Sequence, residues 1–273
     1  MNRNESKLKF VGLHAHSVAG SPFDALGYPQ EHMDAALEKG MHALALTDHG
    51  NMNGLSWQVE HAKKMKKEGK NFKPIFGCEA YYVESVDQWK KDYEEAQKDK
   101  KEAKKTKKDI SRGVNVEEAH RGVMSKLRKY SHFLLLAKNQ EGLSNLFKLI
   151  SSSHEGDYFY RKPRIDLELL KKYSKGLVCT TTCISGPFAQ LVWDNPKATQ
   201  EELLVLMRPM IEQFLDIFGE DYYAEVQWNS IPQQHMLNKC VIQLAKEYNV
   251  KVVSTVDSHY PRPGDWKDRE LYK

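Results

Sequence analysis

The sequence predicts an α/β fold built as a closed or nearly closed β/α barrel. Three observations support this prediction: short apolar runs recur, helical patterns separate most of them, and there is neither a GxGxxG after the first run nor a GxxxxGK[ST] anywhere. The strand-like runs are KFVGLHAHS, HALALTDHG, FKPIFGCEAYYV, HFLLLAKN, GLVCTTTCISG, YYAEVQWNS and KVVSTVDSHY. This alternation is typical of a parallel sheet, and seven strands favour a barrel, although a doubly wound sheet also fits the pattern.

The segments between the strands have the period and the boundary residues of helices. PQEHMDAALEKG starts after Pro29 and stops at Gly40, with Met33, Ala36 and Leu37 on one face. The others are LSWQVEHAKKMKKEG, NQEGLSNLFKLISSS, DLELLKKYSKG, TQEELLVLMRPMIEQFLDIFG and PQQHMLNKCVIQLAKEYN. Strands that alternate with such segments indicate βα units.

One charged segment departs from this alternation. We expect residues 87–130 to form an insertion that is partly helical over DQWKKDYEEAQKDKKEAKK and then a loop. Its run Lys98–Lys108 holds seven lysines against Asp99 and Glu102, a balance of +5, so the rest of the protein carries −1 of the net charge of +4. We interpret the segment as a solvated insertion, and an arm that contacts nucleic-acid phosphates is the alternative.

Length and composition are those of a soluble intracellular protein. The chain has 273 residues, of which 40% are hydrophobic and 29% are charged. No apolar run approaches the roughly 20 residues of a membrane span, and the N-terminus lacks the apolar segment of a signal peptide. Four cysteines without a CxxC pair do not make a disulfide framework. We therefore expect a single domain over residues 1–273, located in the reducing cytoplasm.

Metal-competent side chains gather at the ends of the predicted strands. His14 and His16 end the first run, and Asp257 and His259 end the last; because strand side chains alternate, each pair shares a face. The others are Asp24 in the first loop, Asp48 and His49 after the second run, Glu79 at the end of the third, and Cys183 at the end of the fifth. Only His132 opens a run instead. The C-terminal strand ends of a β/α barrel carry its active site, so we expect one shared centre.

This set of donors indicates transition-metal chemistry. Imidazoles and carboxylates with one thiol suit Zn²⁺, Mn²⁺ or iron better than Ca²⁺, and so many donors suggest two or three ions that share a carboxylate. We interpret Asp48 either as a ligand or as a neighbour that orients His49. The remaining histidines, His32, His42, His61, His120, His154 and His235, are interpreted as structural or surface residues, and Cys78, Cys179 and Cys240 as buried apolar residues.

Taken in order, LHAHS…D, LTDHGN, GCEAYY, HFLLLAKN, RKPRID, CISG and STVDSHY resemble the PHP (polymerase and histidinol phosphatase) domain. They resemble most closely the version at the N-terminus of bacterial replicative DNA polymerase III alpha subunits, over residues 8–262. The resemblance implies a distorted, TIM-like (β/α)7 barrel with a trinuclear metal centre. By this resemblance His14, His16, Glu79 and Asp257 would hold one ion, Glu79 would bridge to a second ion bound by His132 and Cys183, and Asp24, His49 and His259 would hold the third.

The resemblance also implies metal-dependent phosphoester hydrolysis, with the 3′ end of DNA as the favoured substrate and a proofreading 3′–5′ exonuclease as the favoured activity. Glu79, Asp257 and His14 are the predicted catalytic residues. They would act with up to three divalent ions (Zn²⁺, Mn²⁺ or iron, with Mg²⁺ as an alternative) that lower the pKa of a bound water. Lys162 and Arg164 are candidate phosphate contacts, or else surface cations displayed by a turn.

Three other functions use the same residues. They are a pyrophosphatase, a small-molecule phosphatase of the histidinol-phosphate type, and a structural module whose metals stabilise a polymerase or dock a proofreading subunit. The chain stops at Lys273, soon after the last motif, so we expect the polymerase palm to be absent. A palm or other replisome subunits would then be its protein partners.

Overall fold

A curled sheet forms the centre of the molecule. The computed structural model describes residues 10–105, Leu127 and residues 129–272. Its strands are β1 Ala43–Leu46, β2 Lys73–Tyr82, β3 Ser131–Ala137, β4 Phe159–Tyr160, β5 Lys162–Ile165, β6 Leu177–Thr180, β7 Tyr222–Val226 and β8 Lys251–Ser254. The long strand β2 pairs with β1 along its first part and with β5 along its last two residues, and β3, β6, β7 and β8 follow in that order. The hairpin β4–β5 therefore extends the sheet beside the end of β2.

The first predicted strand closes this sheet into a ring without forming a continuous ladder. Gly12 bridges Leu44 of β1, and Ala15 bridges Ser258, which lies just beyond the end of β8. The amide of His16 also donates to the carbonyl of Ser258 at 2.8 Å. Segment 12–16 thus joins both edges of the sheet, and the predicted α/β barrel class is confirmed.

The expectation of a wholly parallel sheet is wrong at β3, which runs antiparallel to both β2 and β6. The pairs β1–β2, β6–β7 and β7–β8 are parallel. Two parallel strands are usually joined by one crossover helix, which returns the chain to the end of the sheet where the first strand began. Between β2 and β3 the charged segment 87–130 takes the place of such a helix, and the two strands run antiparallel. In the resulting register Tyr81 pairs with His132, so the start of β3 lies beside the end of β2.

Nine α-helices lie within the described residues. They are α1 Pro29–Glu38, α2 Leu55–Lys67, α3 Val86–Lys105, α4 Gln140–Ser153, α5 Leu167–Tyr173, α6 Pro187–Asp194, α7 Gln200–Phe218, α8 Pro232–Glu247 and α9 Trp266–Tyr272. Proline occupies the first turn of α1, α6 and α8, and the side chains of Asn139 and Asp166 accept hydrogen bonds from first-turn amides of α4 and α5. The short helices α6 and α9 were not predicted. None of the helices described is both long enough and apolar enough to span a bilayer.

Two apolar clusters attach the helices to the sheet. The larger cluster surrounds β2, β3, β6 and β7 and includes the fully buried rings of Phe133 and Phe214, whose centroids are 5.1 Å apart. The smaller cluster joins α1, β1 and α2 through Met33, Leu46 and Met65. Each fully buried side chain of this size contributes about 1.5–3 kcal/mol. The strand ends that carry polar side chains are thus fixed to a packed scaffold.

The first part of the charged segment is helical, as predicted, because α3 covers Val86–Lys105. Its first turns are held to the barrel by an aromatic contact, in which the Arg164 guanidinium lies 3.8 Å from the centroid of the Trp89 ring. The Trp89 indole also donates to the carbonyl of Leu127 at 2.6 Å. Most of the loop predicted after this helix lies outside the described residues.

Candidate metal centre

The nine predicted metal ligands meet at one end of the barrel. Segment 12–16, called the closing segment from here on, supplies His14 and His16, and the loop after it supplies Asp24. The others come from the loop after β1 (His49), β2 (Glu79), the start of β3 (His132), the loop after β6 (Cys183) and the segment after β8 (Asp257, His259). Because β3 runs antiparallel, its first residues lie at the same end as the last residues of its neighbours. The reversed strand therefore explains why His132 joins the other eight.

Glu79 lies at the middle of this cluster, and its side chain is fully buried. Five donor atoms surround its two oxygens. They are His14 Nε2 at 3.1 Å and Cys183 Sγ at 3.4 Å from Oε1, and His49 Nδ1 at 2.8 Å, His132 Nδ1 at 3.1 Å and His16 Nε2 at 3.5 Å from Oε2. One carboxylate thus touches residues from four other segments of the chain, which is the position that a bridging ligand needs.

Two further carboxylates complete the network. Asp257 Oδ1 lies 3.0 Å from His16 Nε2 and 3.4 Å from His14 Nε2. Asp257 has a φ of +50°, a left-handed conformation that is costly for a residue with a side chain and is common at functional sites. Asp24 Oδ2 lies 3.2 Å from His49 Nε2 and 3.4 Å from His259 Nε2.

The arrangement fits metal ions better than a network of hydrogen bonds. Within the described part of the chain, the buried atoms His14 Nε2, His49 Nδ1 and Glu79 Oε2 form no hydrogen bond, although each lies close to another of these groups. Buried polar atoms are almost always paired, so unpaired ones that converge indicate a missing partner. Three sets of residues have ligand atoms within 4.8 Å of one another, namely His14–His16–Glu79, His49–Glu79–His132 and His16–His49–His259. The division of all nine residues among three ions stays a prediction.

Burial and the charge of the carboxylates shift the pKa values of the imidazoles in opposite directions. Burial alone would lower the pKa of His14, but Asp257 and two further carboxylates raise it well above its usual value. Burial is also outweighed at His49, where the neighbouring carboxylates of Asp24 and Glu79 raise the pKa to about 10. At His16 burial is the larger effect, and it lowers the pKa to about 4. The cluster as a whole is therefore a negative environment that favours cations.

Sequence reasoning missed one residue of the centre, Glu225 in β7. Its side chain is fully buried, and its Oε1 accepts a hydrogen bond from His14 Nδ1 at 2.9 Å. Three neutral side chains, those of Thr180, Gln227 and Thr255, donate to the same carboxylate. In a neutral His14 ring this contact would place the proton on Nδ1 and leave Nε2 free to bind a metal, as in the carboxylate–histidine–metal arrangement. A charged residue within the apolar run YYAEV was the signal that could have revealed it.

Asp48 acts on the loop that carries the ligands. Its carboxylate accepts hydrogen bonds from the Ser17 amide at 2.6 Å, the Ser17 hydroxyl at 2.8 Å and the Ser21 hydroxyl at 2.9 Å. The Ser21 hydroxyl in turn accepts from the amide of His49 at 3.1 Å. Of the two interpretations left open for Asp48, these contacts favour the one in which it is a neighbour that orients His49.

The two predicted phosphate contacts have different surroundings. Arg164 is 2% exposed and donates to the carbonyls of Tyr158 at 3.1 Å and Asp157 at 2.6 Å. These contacts fix the turn before β4 and give no support to phosphate binding by Arg164. Lys162 is partly exposed, and its Nζ lies 3.3 Å from the hydroxyl of Tyr81, whose ring borders the cluster.

Three of the histidines predicted to be structural make local hydrogen bonds. They are His32 to the carbonyl of Leu26, His61 to the carboxylate of Asp34, and His154 to the carbonyl of Ile150. Cys78, Cys179 and Cys240 are buried, as expected, and His120 lies outside the described residues.

The fold and this site define an α/β barrel protein whose donor cluster is suited to metal binding. The family model of the PHP domain matches residues 12–229, and the chain belongs to this family. It is 36% identical to the DNA polymerase III subunit alpha of Aquifex aeolicus over 94% of its length, and 33% identical to that of Borreliella burgdorferi over 92%. The matches cover 19% and 18% of those relatives, so the chain spans about a fifth of their length.

Solved structures with a related outline share little sequence with this chain. A putative metal-dependent phosphoesterase from Bifidobacterium adolescentis is 12% identical, with a TM-score of 0.47 and coverage of 94% of this chain and 90% of that one. A histidinol phosphate phosphatase from Lactococcus lactis, complexed with zinc, L-histidinol and phosphate, is 10% identical, with a TM-score of 0.43 and coverage of 96% and 90%.

Proposed function

We propose that this chain is a metal-dependent phosphoester hydrolase that shortens DNA from its 3′ end, as a 3′–5′ exonuclease. One observation carries the proposal: nine metal-competent side chains converge at one end of the barrel with Glu79 at their middle, and buried ligand atoms among them lack hydrogen-bond partners within the described residues. The similarity to DNA polymerase III alpha subunits supports DNA as the substrate. The same similarity supports replisome subunits as partners and the cytoplasm as the location.

The residues present determine which ions fit the centre. Imidazole, carboxylate and thiol donors suit Zn²⁺, Mn²⁺ or iron. Ions of this kind supply Lewis acidity, which activates water and neutralises charge on a phosphoryl group.

The protein's own contribution is to hold the donors in place. Glu79 offers its two oxygens to imidazoles on different segments, and Asp257 places its Oδ1 beside the Nε2 atoms of both His14 and His16. Glu225 keeps the His14 ring in one tautomer and one orientation. These contacts hold the ligands before substrate arrives, so little reorganisation is needed during the reaction.

The test is a nuclease assay with Mn²⁺ or Zn²⁺ added. Its substrates are labelled single-stranded DNA and a labelled primer–template with a mismatch at the 3′ end of the primer. Wild type is compared with Asp257→Asn, which keeps the shape of the side chain but removes its charge. The matched control is Asp216→Asn, which alters an exposed carboxylate on α7. We expect stepwise shortening from the 3′ end in wild type and in the control, and a loss of at least about 100-fold in Asp257→Asn.

Each other result identifies a different function. If DNA stays intact while inorganic pyrophosphate or a small phosphomonoester is hydrolysed in an Asp257-dependent way, the centre is catalytic and the polymer substrate is wrong. If no phosphoester is hydrolysed and chelation only lowers the melting temperature, the metals are structural and the enzymatic proposal fails.

A further inference from the structure

A tyrosine that is not among the nine donors borders the centre. Tyr81 follows Glu79 by two residues on β2, so both side chains lie on the same face of the sheet. Tyr81 also pairs with His132 in the register of β2 and β3. Its ring centroid lies 5.8 Å from that of His132 and 6.1 Å from that of His49. The side chain thus extends the donor cluster towards the end of β2.

Lys162 holds this tyrosine from the neighbouring strand β5. Its ammonium lies 3.3 Å from the Tyr81 hydroxyl oxygen and 5.0 Å from the centroid of the ring. The ammonium can only donate, so the hydroxyl oxygen accepts this hydrogen bond and its own hydrogen stays available. In the described residues we find no carboxylate paired with Lys162 and no acceptor for the Tyr81 hydroxyl hydrogen.

Two donors side by side without an acceptor define a place for an anion. Tyr81 is only 5% exposed, and polar groups in such positions normally have a partner. The neighbouring rings of His49 and His132 belong to the predicted ligand set, so the Tyr81 side chain borders the predicted metal sites. A phosphate oxygen can accept both donors at once, and hydrogen bonds with an ionised partner are shorter and stronger than neutral ones.

We propose that the Tyr81 hydroxyl and the Lys162 ammonium together bind a non-bridging oxygen of the phosphoryl group on which the centre acts. This inference rests on the proposed function and adds to it a substrate contact outside the metal ligands. Tyr81 donates a hydrogen bond and transfers no proton. Its contribution is to orient the phosphoryl group and to stabilise the charge that develops on the oxygen.

The test uses Tyr81→Phe, which removes only the hydroxyl, with Tyr82→Phe as the matched control. Tyr82 is the next residue on β2 and faces the other way, against Phe133 with ring centroids 5.2 Å apart. Two quantities are measured on the Mn²⁺-loaded full chain: kcat/KM for labelled single-stranded DNA, and the Kd of inorganic phosphate by calorimetry. We expect Tyr81→Phe to lower kcat/KM by about 10- to 100-fold and to weaken phosphate binding, with no effect of Tyr82→Phe. Lys162→Met should weaken the same two quantities.

The outcomes separate this inference from the function on which it rests. If wild type hydrolyses DNA and Tyr81→Phe changes neither quantity, the inference is overturned and the function stands. If no phosphoester is hydrolysed but phosphate binding still depends on Tyr81, the function is overturned, and only the phosphate contact of the inference stands, without its role in a reaction. A Tyr81→Phe protein that binds less Mn²⁺ than wild type would also overturn the inference, because the loss of a substrate contact should leave the metal ligands intact.

Discussion

The His14 imidazole shows how a residue that is not itself a ligand can orient a ligand of this centre. Glu225 accepts a hydrogen bond from its Nδ1, and three further side chains, Thr180, Gln227 and Thr255, donate hydrogen bonds to the same carboxylate. If the carboxylate is removed, His14 can rotate or change tautomer, and three buried donors lose their acceptor. A residue that never touches the ion would thus decide how well one ligand binds it.

We therefore expect Glu225→Ala to weaken metal binding by about 10- to 100-fold, and Glu225→Gln to lie between this variant and wild type. The measurement is competition with a chromophoric chelator for Zn²⁺ or Mn²⁺, which does not depend on catalysis. Glu220→Ala, an exposed change in the turn before the same strand, is the control and should bind like wild type. Wild-type affinity in Glu225→Ala would show that His14 is held by other contacts.

The residues that sequence could identify are those with a spacing that only one geometry explains. His14 and His16, like Asp257 and His259, alternate at predicted strand ends, and the structure brings each pair together. Glu225 has no such partner in sequence, and its role appears only when β7 is placed beside the closing segment. Arg164 shows the opposite case. Its guanidinium is of a type that suits phosphate, but it packs on the Trp89 ring of α3 and donates to the carbonyl of Asp157 in the turn before β4.

At the scale of elements, strand existence was easier to predict than strand direction. All seven apolar runs became members of the ring. Strands such as β3, which is buried along most of its length, leave a strong signal in sequence, whereas β8 is mostly exposed. The direction of β3 depends on how the chain returns from β2, and the lysine-rich run Lys98–Lys108 carries no apolar period from which that path could be read. The antiparallel pairing of β3 with β6 in turn brings His132 within 3.8 Å of Cys183.

A contact between two glycines fixes that pairing at its other end. Gly142 lies in the first turn of α4, and a Cβ added there would collide with the carbonyl oxygen of Gly176, in the turn before β6. That same oxygen accepts a hydrogen bond from the amide of Lys138 at 2.9 Å. The close approach therefore ties the end of β3 and the start of α4 to β6.

We expect Gly142→Ala to lower the free energy of unfolding by about 1–3 kcal/mol or more, because a backbone carbonyl cannot move aside as a side chain can. Urea denaturation followed by circular dichroism measures the change. The control is Gly264→Ala, since a Cβ at Gly264 meets nothing within 4 Å. Equal midpoints for the two variants would mean that the α4–β6 contact relaxes without cost.

For the whole molecule, the ring is completed by a short segment that also supplies two ligands. Segment 12–16 bridges β1 on one side and Ser258 on the other, and His14 and His16 reach the cluster from this segment. Closure of the barrel could be predicted from the number of strands. That segment 12–16 joins its neighbours only through isolated bridges could not be predicted, because the order of apolar residues does not show where the hydrogen bonds between two strands are interrupted. Closure and the metal centre thus depend on the same residues, so metal binding should be coupled to folding.

Removal of metal should therefore lower the stability of the full chain. An ion that binds only the folded state stabilises it by about 4 kcal/mol at a free concentration 1,000 times its Kd. For a protein of this size that corresponds to roughly 10 °C in melting temperature. We expect a shift of this order between the Zn²⁺- or Mn²⁺-loaded protein and the protein treated with a chelator, as measured by scanning calorimetry. Asp257→Asn should lose most of the shift, and the exposed change Asp216→Asn should keep it. Equal melting temperatures with and without chelator, with metal shown to be bound in one sample and absent in the other, would mean that the barrel closes independently of its ions.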